Sequence, residues 1–420
     1  MIQYEKFTLD NGLKVIVHTD ETTPIVAFNL LYDVGARDED ENRTGFAHLF
    51  EHLMFGGSEN IPNFDGPLQE VGGENNAFTS NDITNYYITL PKQNIETAFW
   101  LESDRMKSLA FTDKSLEVQR SVVIEEFKQR YLNQPYGDVW LLLRPLAYTR
   151  HPYRWATIGK EIKHIQDATM DEVKAFFFQH YRPNNAVLSV AGDVTKSQIE
   201  QLAKKWFGDI PPGKKLQRNL PKEPEQLQRR TLTVERDVPS DAIYLAYHIC
   251  SRTDENYYAA DLLSDVLSRG DSSRLFQRMI KERGLCSSVN AYITGDMDEG
   301  LFVLTAIAND GVSLEEIESE LLAALKLLIE EGVKPEELQK VKNKVLAAQA
   351  FGNTSVLNKA MGLAIAELIS DAELINKEKE LYAQVTSEQI QVYAGRIFSP
   401  NNCSTLYYKS TKHKTKHDRS

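Results

Sequence analysis

Apolar and polar positions alternate through "YEKFTLDNGLKVIVHTD" and break at Asn11-Gly12. That dipeptide tolerates the positive φ values of a tight turn, so the stretch predicts a two-stranded hairpin. "IVAFNLLYDVGAR" is almost continuously apolar, which suits a central strand. The period then lengthens to three and four residues, predicting helices from Gly45 to Phe55 and from Asn94 to Ser108. Another helix is expected in "TDKSLEVQRSVVIEEFKQRYLNQ", with Asp113 as its cap ahead of Leu116, Val123, Ile124 and Phe127. Between these, "NNAFTSNDITNYYITL" is rich in strand formers, and "NNAVLSVAGDV" closes the half as a strand.

The second half repeats this order. "TLTVERDVPSDAIYLAYHIC" predicts strands, "NYYAADLLSDVLSRGDSSRLFQRMIKERG" helix, and "SSVNAYITGDMDEGLFVLTAIA" strands again; two helices follow. "AHLFEHLMFGG" lies over "ADLLSDVLSRG" with matching apolar positions, and Asp261, Ser264 and Asp265 stand where the first copy has His48, Glu51 and His52. Likewise Ala348 falls opposite Glu126. Duplication predicts an α+β protein of two tandem homologous α/β-sandwich domains, each an antiparallel-rich sheet packed with helices. They span 1–212 and 229–408, with a proline- and charge-rich linker at 213–228 and a basic tail at 409–420.

Bulk composition narrows the function. A chain of 420 residues, 42% hydrophobic and 26% charged, is globular and long enough for two cores. A net charge of −12 leaves no basic stripe for phosphates, which argues against nucleic acid. Cys250, Cys286 and Cys403 are odd in number and lack metal-type spacing, so a reducing compartment or simple core cysteines are expected rather than a disulfide framework. The start has no apolar signal core and no run approaches the ~20 residues of a membrane span, hence an expectation of a cytoplasmic protein without a transmembrane segment. The histidines of the C-terminal "KSTKHKTKHDRS" are read as part of a solvated tail, ahead of a loose metal site.

Only the first copy of the repeat carries chemistry. His48 and His52 are four apart, so a helix projects both imidazoles from one face, a turn from each other. That spacing lets two imidazoles hold one ion, and Glu51 at the flank can reach a metal-bound water without ligating. The order H-x-x-E-H reverses the commoner H-E-x-x-H and is an inverzincin signature. Catalytic zinc usually takes a third protein ligand. "SVVIEEF" offers Glu125 or Glu126; spacing alone does not choose between them, though a solvated outer position suits Glu125 better.

At these residues the chain resembles the pitrilysin and mitochondrial processing peptidase family of zinc metallopeptidases. "TLDNGLKVIV", "DVGARDE", "GFAHLFEHLMFGGS", "GGENNAFTSNDITNYY", "ERDV" and "SSRLFQRMIKERGL" occur in the family's order over nearly the whole length. The resemblance selects Glu126, six residues after Arg120 and 74 after His52, as the third ligand of one Zn2+ per chain. It implies that Glu51 removes a proton from the attacking water and returns it to the leaving amine. It also implies that "NNAFTS" is an edge strand to which a peptide adds, with Asn76, Ala77, Phe78 and Thr79 as contacts; alternation alone does not exclude an interior strand. Glu125 is a candidate to orient an imidazole. His151 in "RHPYRWATIG" is read as a turn or packing residue rather than a second metal ligand.

Two departures from the family's pattern carry information. Gln119 stands where members usually have a second glutamate, seven residues before the ligand. Active members also draw an arginine and a tyrosine, seven apart, from a later half; here Ile280 and Ser287 take those places, and Arg278, Arg283 and Tyr292 are out of register. The resemblance therefore implies half of a clam-shell chamber, completed by a related chain that supplies the arginine and tyrosine, with a homodimer as the alternative. The leading expectation is a zinc endopeptidase acting on peptides or small unfolded proteins. Its rival is a non-catalytic assembly or peptide-binding subunit of the same fold, against which the joint retention of His48, Glu51, His52 and Glu126 speaks.

Overall fold

Strands β1 (Glu5–Thr8) and β2 (Lys14–Thr19) pair antiparallel around Asn11-Gly12, where Gly12 takes φ +88° and donates its N–H to Leu9 O. β3 (Ile25–Tyr32), β4 (Glu74–Thr79), β5 (Thr84–Pro91) and β6 (Ala186–Gly192) complete a six-stranded sheet in the order β1-β2-β6-β3-β5-β4. β3 is interior, as its apolar run predicts, and β4 is an edge. A second sheet holds β7 (Arg230–Arg236), β8 (Ala242–His248), β9 (Cys286–Ile293), β10 (Leu301–Ala308) and β11 (Cys403–Ser410), ordered β7-β11-β8-β10-β9. The computed structural model describes residues 1–413.

The two sheets share one topology. β2-β6-β3-β5-β4 matches β7-β11-β8-β10-β9 strand for strand, and in both only the first pair is parallel (β2 with β6, β7 with β11). The tripeptide Pro-Asn-Asn precedes the last strand each time. Asn185 Nδ2 donates to Asp33 O and His180 O at 3.1 and 2.9 Å; Asn402 Nδ2 donates to His248 O and Ile397 O at 3.0 and 2.9 Å. One asparagine thus ties the same three elements together in each copy. The fold is two tandem α/β domains, each a mixed sheet packed with helices.

The strands obey a division at the proline-rich stretch, but the helices cross it. One compact unit comprises Met1–Gln129, Trp155–Leu220 and Gln349–Lys377; the other comprises Arg130–Arg154, Pro221–Ala348 and, among the described residues, 378–413. In the first unit, the helix Val356–Ile369 covers one face of the sheet, where Ala360 meets Ala27 and Ala191. Small residues on both sides allow this close approach. The opposite face buries Phe28 against Phe99 and Phe207. In the second unit, the helix Val139–Ala147 lies on the other sheet, burying Leu143 with Ala246, Val303 and Leu406. Each sheet is therefore covered by a helix from the other half of the sequence.

Two expectations need correction. The helix Asp113–Phe127 is capped by Thr112, not Asp113: the threonine is extended (φ −92°, ψ 147°) and its hydroxyl accepts from Ser115 N at 3.0 Å. Asp113 sits inside the first turn, where its charge favours the helix dipole. Secondly, Lys409 and Ser410 belong to β11 rather than to a tail, because Ser410 N is held by Asp241 Oδ1 at 2.7 Å. The tail histidines fall at or beyond the limit of the described residues. Among the described residues, no helix is long and apolar enough to cross a membrane. Cys250, Cys286 and Cys403 are free thiols.

Candidate metal centre

The helix Phe46–Leu53 buries Phe46, Leu49, Phe50 and Leu53, a stripe at three- and four-residue spacing. His48, Glu51 and His52 occupy the remaining face and stay partly accessible. Gly45 begins the helix at φ +88°, and a Cβ there would meet Ile158 O at 2.7 Å, so glycine is required twice over. Its first turn has no capping side chain at Gly45. Instead Glu39 accepts from Gly45 N and Ala47 N, each at 2.8 Å. Burial pushes the Glu39 acid up to about 8, against the pull of those two N–H groups. Sequence reading missed this residue because the cap acts from six residues upstream, outside any capping-box spacing.

The second contributor is the helix Asp113–Phe127, which buries Leu116, Val123 and Phe127 and contacts the histidine helix. Arg120 pins it by donating to Ala168 O at 2.6 Å. Of the two adjacent acids, Glu125 faces outward, its side chain 60% exposed and paired with Lys128 at 2.6 Å. Glu126 turns inward and is 17% exposed. Its Oε2 lies 3.2 Å from His52 Nε2 and 3.6 Å from His48 Nε2. Gln119, two turns earlier on the same face, lies against Gly56 at the end of the histidine helix.

One ligand atom from each of His48, His52 and Glu126 lies within 4.8 Å of the others, and among the described residues this is the one such cluster of three. The donor set fits zinc. Ligand bonds of about 2.0–2.1 Å in a tetrahedron separate ligand atoms by about 3.3 Å, which brackets with the two observed spacings. Two nitrogens and a carboxylate oxygen are also the chemistry such an ion takes.

Glu51 stands outside the ligand cluster and accepts from Thr79 Oγ1 at 2.6 Å. Thr79 ends β4, which bonds β5 through Asn76–Tyr87, Ala77–Tyr86, Phe78–Asn85 and Thr79–Thr84 and has no strand on its other side among the described residues. Phe78 points to the opposite face, packing in the cluster with Ile16, Leu31 and Val187. Asn76 Oδ1 accepts from Ala77 N. The four candidate peptide contacts therefore share one edge strand, and its end touches Glu51.

The other histidines have local tasks. His151 Nδ1 accepts from Tyr153 N at 3.2 Å within its turn, and its Nε2 lies 3.4 Å from Asp298 Oδ2. In the second repeat, Asp261 accepts from the Tyr382 hydroxyl at 2.6 Å and Asp265 pairs with Arg269 at 2.8 Å, so the equivalent helix face is tied up in structural contacts.

Comparison with known proteins identifies the family of the chain. Residues 14–140 match the description "Insulinase (Peptidase family M16)", and residues 167–345 match "Peptidase M16 inactive domain". The chain is 30% identical to the zinc protease PqqE of Helicobacter pylori, over 97% of this chain and 93% of that protein. A solved structure of a protease from Helicobacter pylori superposes with a TM-score of 0.91 at 29% identity, covering 97% of this chain and all of the other. The periplasmic protease PqqL of Escherichia coli shares the fold, with a TM-score of 0.81 at 20% identity over 98% of this chain and 48% of its own. The chain belongs to the insulinase family of peptidases, family M16. Residues 14–140 include the histidine pair, and the match described as inactive spans 167–345.

Proposed function

We propose that this protein is a zinc-dependent endopeptidase that hydrolyses peptides or small unfolded proteins. The observation that carries the reading is the convergence of His48, His52 and Glu126 on one centre, with Glu51 beside it. His48, His52 and Glu126 would hold the ion. When bound, zinc supplies Lewis-acid polarisation of a carbonyl and brings water's acidity toward neutral pH. Glu51 takes the proton of the attacking water on its carboxylate and passes it to the nitrogen of the departing amine. The free side of β4 grips the peptide main chain, which accepts many sequences, while alternate side-chain positions set preference.

The proposal includes a second chain. The Ile280 side chain packs against the second unit's core, and Ser287 Oγ donates to Ile307 O at 3.4 Å, so neither offers a cation or a phenol. Arg278 is paired with Glu320 at 2.8 Å, Arg283 also with Glu320, and Tyr292 lies against Trp140. A related subunit supplying an arginine and a tyrosine would complete a closed chamber; a homodimer would work without them. Co-purification with such a chain supports the first, and full activity from this chain alone excludes it. Cytoplasmic residence is part of the proposal and is supported by the three free thiols.

The test is zinc content together with cleavage of a quenched peptide, wild type against Glu51→Gln. The variant keeps zinc and loses turnover. Zinc without turnover in wild type would instead support the assembly or peptide-binding role.

A further inference from the structure

The edge strand and the general base meet at one residue. Thr79 is the last residue of β4, and its Oγ1 donates to Glu51 Oε2 at 2.6 Å. The hydroxyl is held from three directions. Its β-branched side chain has few rotamers. Its backbone is in register with the fully buried Thr84, whose hydroxyl donates to Val34 O at 2.9 Å. The turn that follows is closed by Ser80 N on Ile83 O at 2.8 Å and by Ser80 Oγ, which accepts from the N–H groups of Asp82 and Ile83 at 3.1 Å each. Arg37 Nη1 in turn lies 3.1 Å from Asp82 Oδ1. A rigid strand end thus presents one donor to a carboxylate that sits on a different element.

Resting on the peptidase reading, we propose that Thr79 is a positioning residue: its hydroxyl fixes the Glu51 carboxylate, so the strand that grips a peptide also aims the base. A glutamate has three side-chain torsions, so its carboxylate has several orientations open to it. A charge-assisted hydrogen bond from a fixed donor selects one. Main-chain pairing of a peptide along β4 orders that strand further, and any ordering of Thr79 is passed to Glu51. Substrate gripping and proton transfer are then coupled through a single hydroxyl, with the side chain serving Glu51 and the strand's main chain serving the peptide.

The experiment compares zinc-loaded wild type, Thr79→Val and Thr79→Ser. Thr79→Val is expected to lower kcat by about 10- to 100-fold with KM within about twofold, the scale on which a misplaced group slows a reaction. Thr79→Ser should return to within about threefold of wild type; failure of serine to rescue assigns a packing role and overturns the proposal. Binding of an intact peptide, followed by fluorescence anisotropy in the Glu51→Gln background, should not change when Thr79→Val is added. A raised Kd there assigns the hydroxyl to substrate and also overturns it. Crystal structures give a readout free of turnover: the Glu51 carboxylate should leave its wild-type position in Thr79→Val, and an unmoved carboxylate overturns the proposal whatever the activity. No cleavage by zinc-loaded wild type, with the carboxylate moved in the variant, counts against the peptidase reading and leaves the positioning role supported.

Discussion

His52 Nε2 stands 3.2 Å from Glu126 Oε2, although 74 residues separate them in the chain. Two imidazoles four apart are a local consequence of helix geometry; the carboxylate is not. It is delivered by the packing of the Asp113–Phe127 helix, with Leu116, Val123 and Phe127 inward and Arg120 anchored on Ala168. Glu126→Gln leaves that packing intact and replaces the proposed anionic ligand by a neutral amide. The expected outcome is unchanged unfolding by urea and a fall in zinc affinity of at least about 100-fold, beyond the loss caused by removing an outer hydrogen-bonding partner. Metal content after dialysis against a weak chelator measures it, and full retention would remove Glu126 from the site. Glu125→Gln, on the exposed side, should change neither.

The His48 helix depends on an acid that is not part of it. Glu39 satisfies the N–H groups of Gly45 and Ala47, immediately before His48. Glu39→Ala strands both donors in a buried place, at a cost of about 1–3 kcal/mol. Zinc affinity should fall with stability, because the first turn that carries His48 frays. Glu39→Gln keeps one acceptor and should lose less. Urea unfolding and a zinc-competition titration, run on the same samples, check both statements; equal effects of alanine and glutamine would contradict the capping role.

Sequence made much of this visible, for physical reasons that differ by element. The hairpin at Asn11-Gly12, the interior strand β3 and the apolar stripe of the His48 helix are local patterns, and each is found where periodicity put it. Comparison of the two halves isolated His48, Glu51 and His52 because the apolar positions matched and these did not. The choice of Thr112 over Asp113 as cap turned on one residue of register, which propensity does not resolve. What stayed hidden is long-range. The exchange of the helices Val139–Ala147 and Val356–Ile369 between sheets depends on which sheet face each meets, and a helix pattern records only that it has an apolar face. Glu39 and the Thr79–Glu51 bond are likewise contacts between elements, invisible to spacing rules.

Arg105 and Glu102 form a buried charge pair, with the guanidinium over the Phe55 ring just past the His48 helix. Arg105 Nε donates to Glu102 Oε2 at 2.6 Å, with side chains 2% and 0% exposed. The guanidinium also lies 4.4 Å from the ring centres of Phe64 and Tyr86, and the Tyr86 hydroxyl donates to Phe50 O at 3.3 Å. Arg105→Met leaves an unpaired acid in an apolar site and is expected to cost about 3–5 kcal/mol. Adding Glu102→Leu removes the stranded charge and should recover most of that loss. Urea denaturation of the two single variants and the double variant tests it. Additive losses would mean that the pair acts through packing alone.

His180 sets an acid limit on stability. It is 3% exposed, its ring centre lies 4.5 Å from that of Phe176 at a tilt of 44°, and burial lowers its pKa to about 4, while Asp38 and Asp33 pull upward and Arg218 opposes them. Its folded value lies below the ordinary 6.5, so the unfolded chain binds the proton more readily between the two. The stability it contributes is complete above pH 6.5 and is lost as pH falls toward 4. At about 1.4 kcal/mol for each pH unit, that loss is on the order of 3 kcal/mol. Glu39, with its acid raised to about 8, has the opposite sign: its share is complete below the ordinary value of 4.5 and is lost as pH rises through 8. Wild type alone therefore shows the two effects superimposed, and a variant is needed to separate them. His180→Leu should be less stable at pH 7 through lost packing, yet its deficit relative to wild type should shrink by about that 3 kcal/mol as pH falls from 6.5 to 4. Unfolding midpoints in urea across that interval decide the matter; parallel curves for wild type and variant would show that His180 is not the group that titrates.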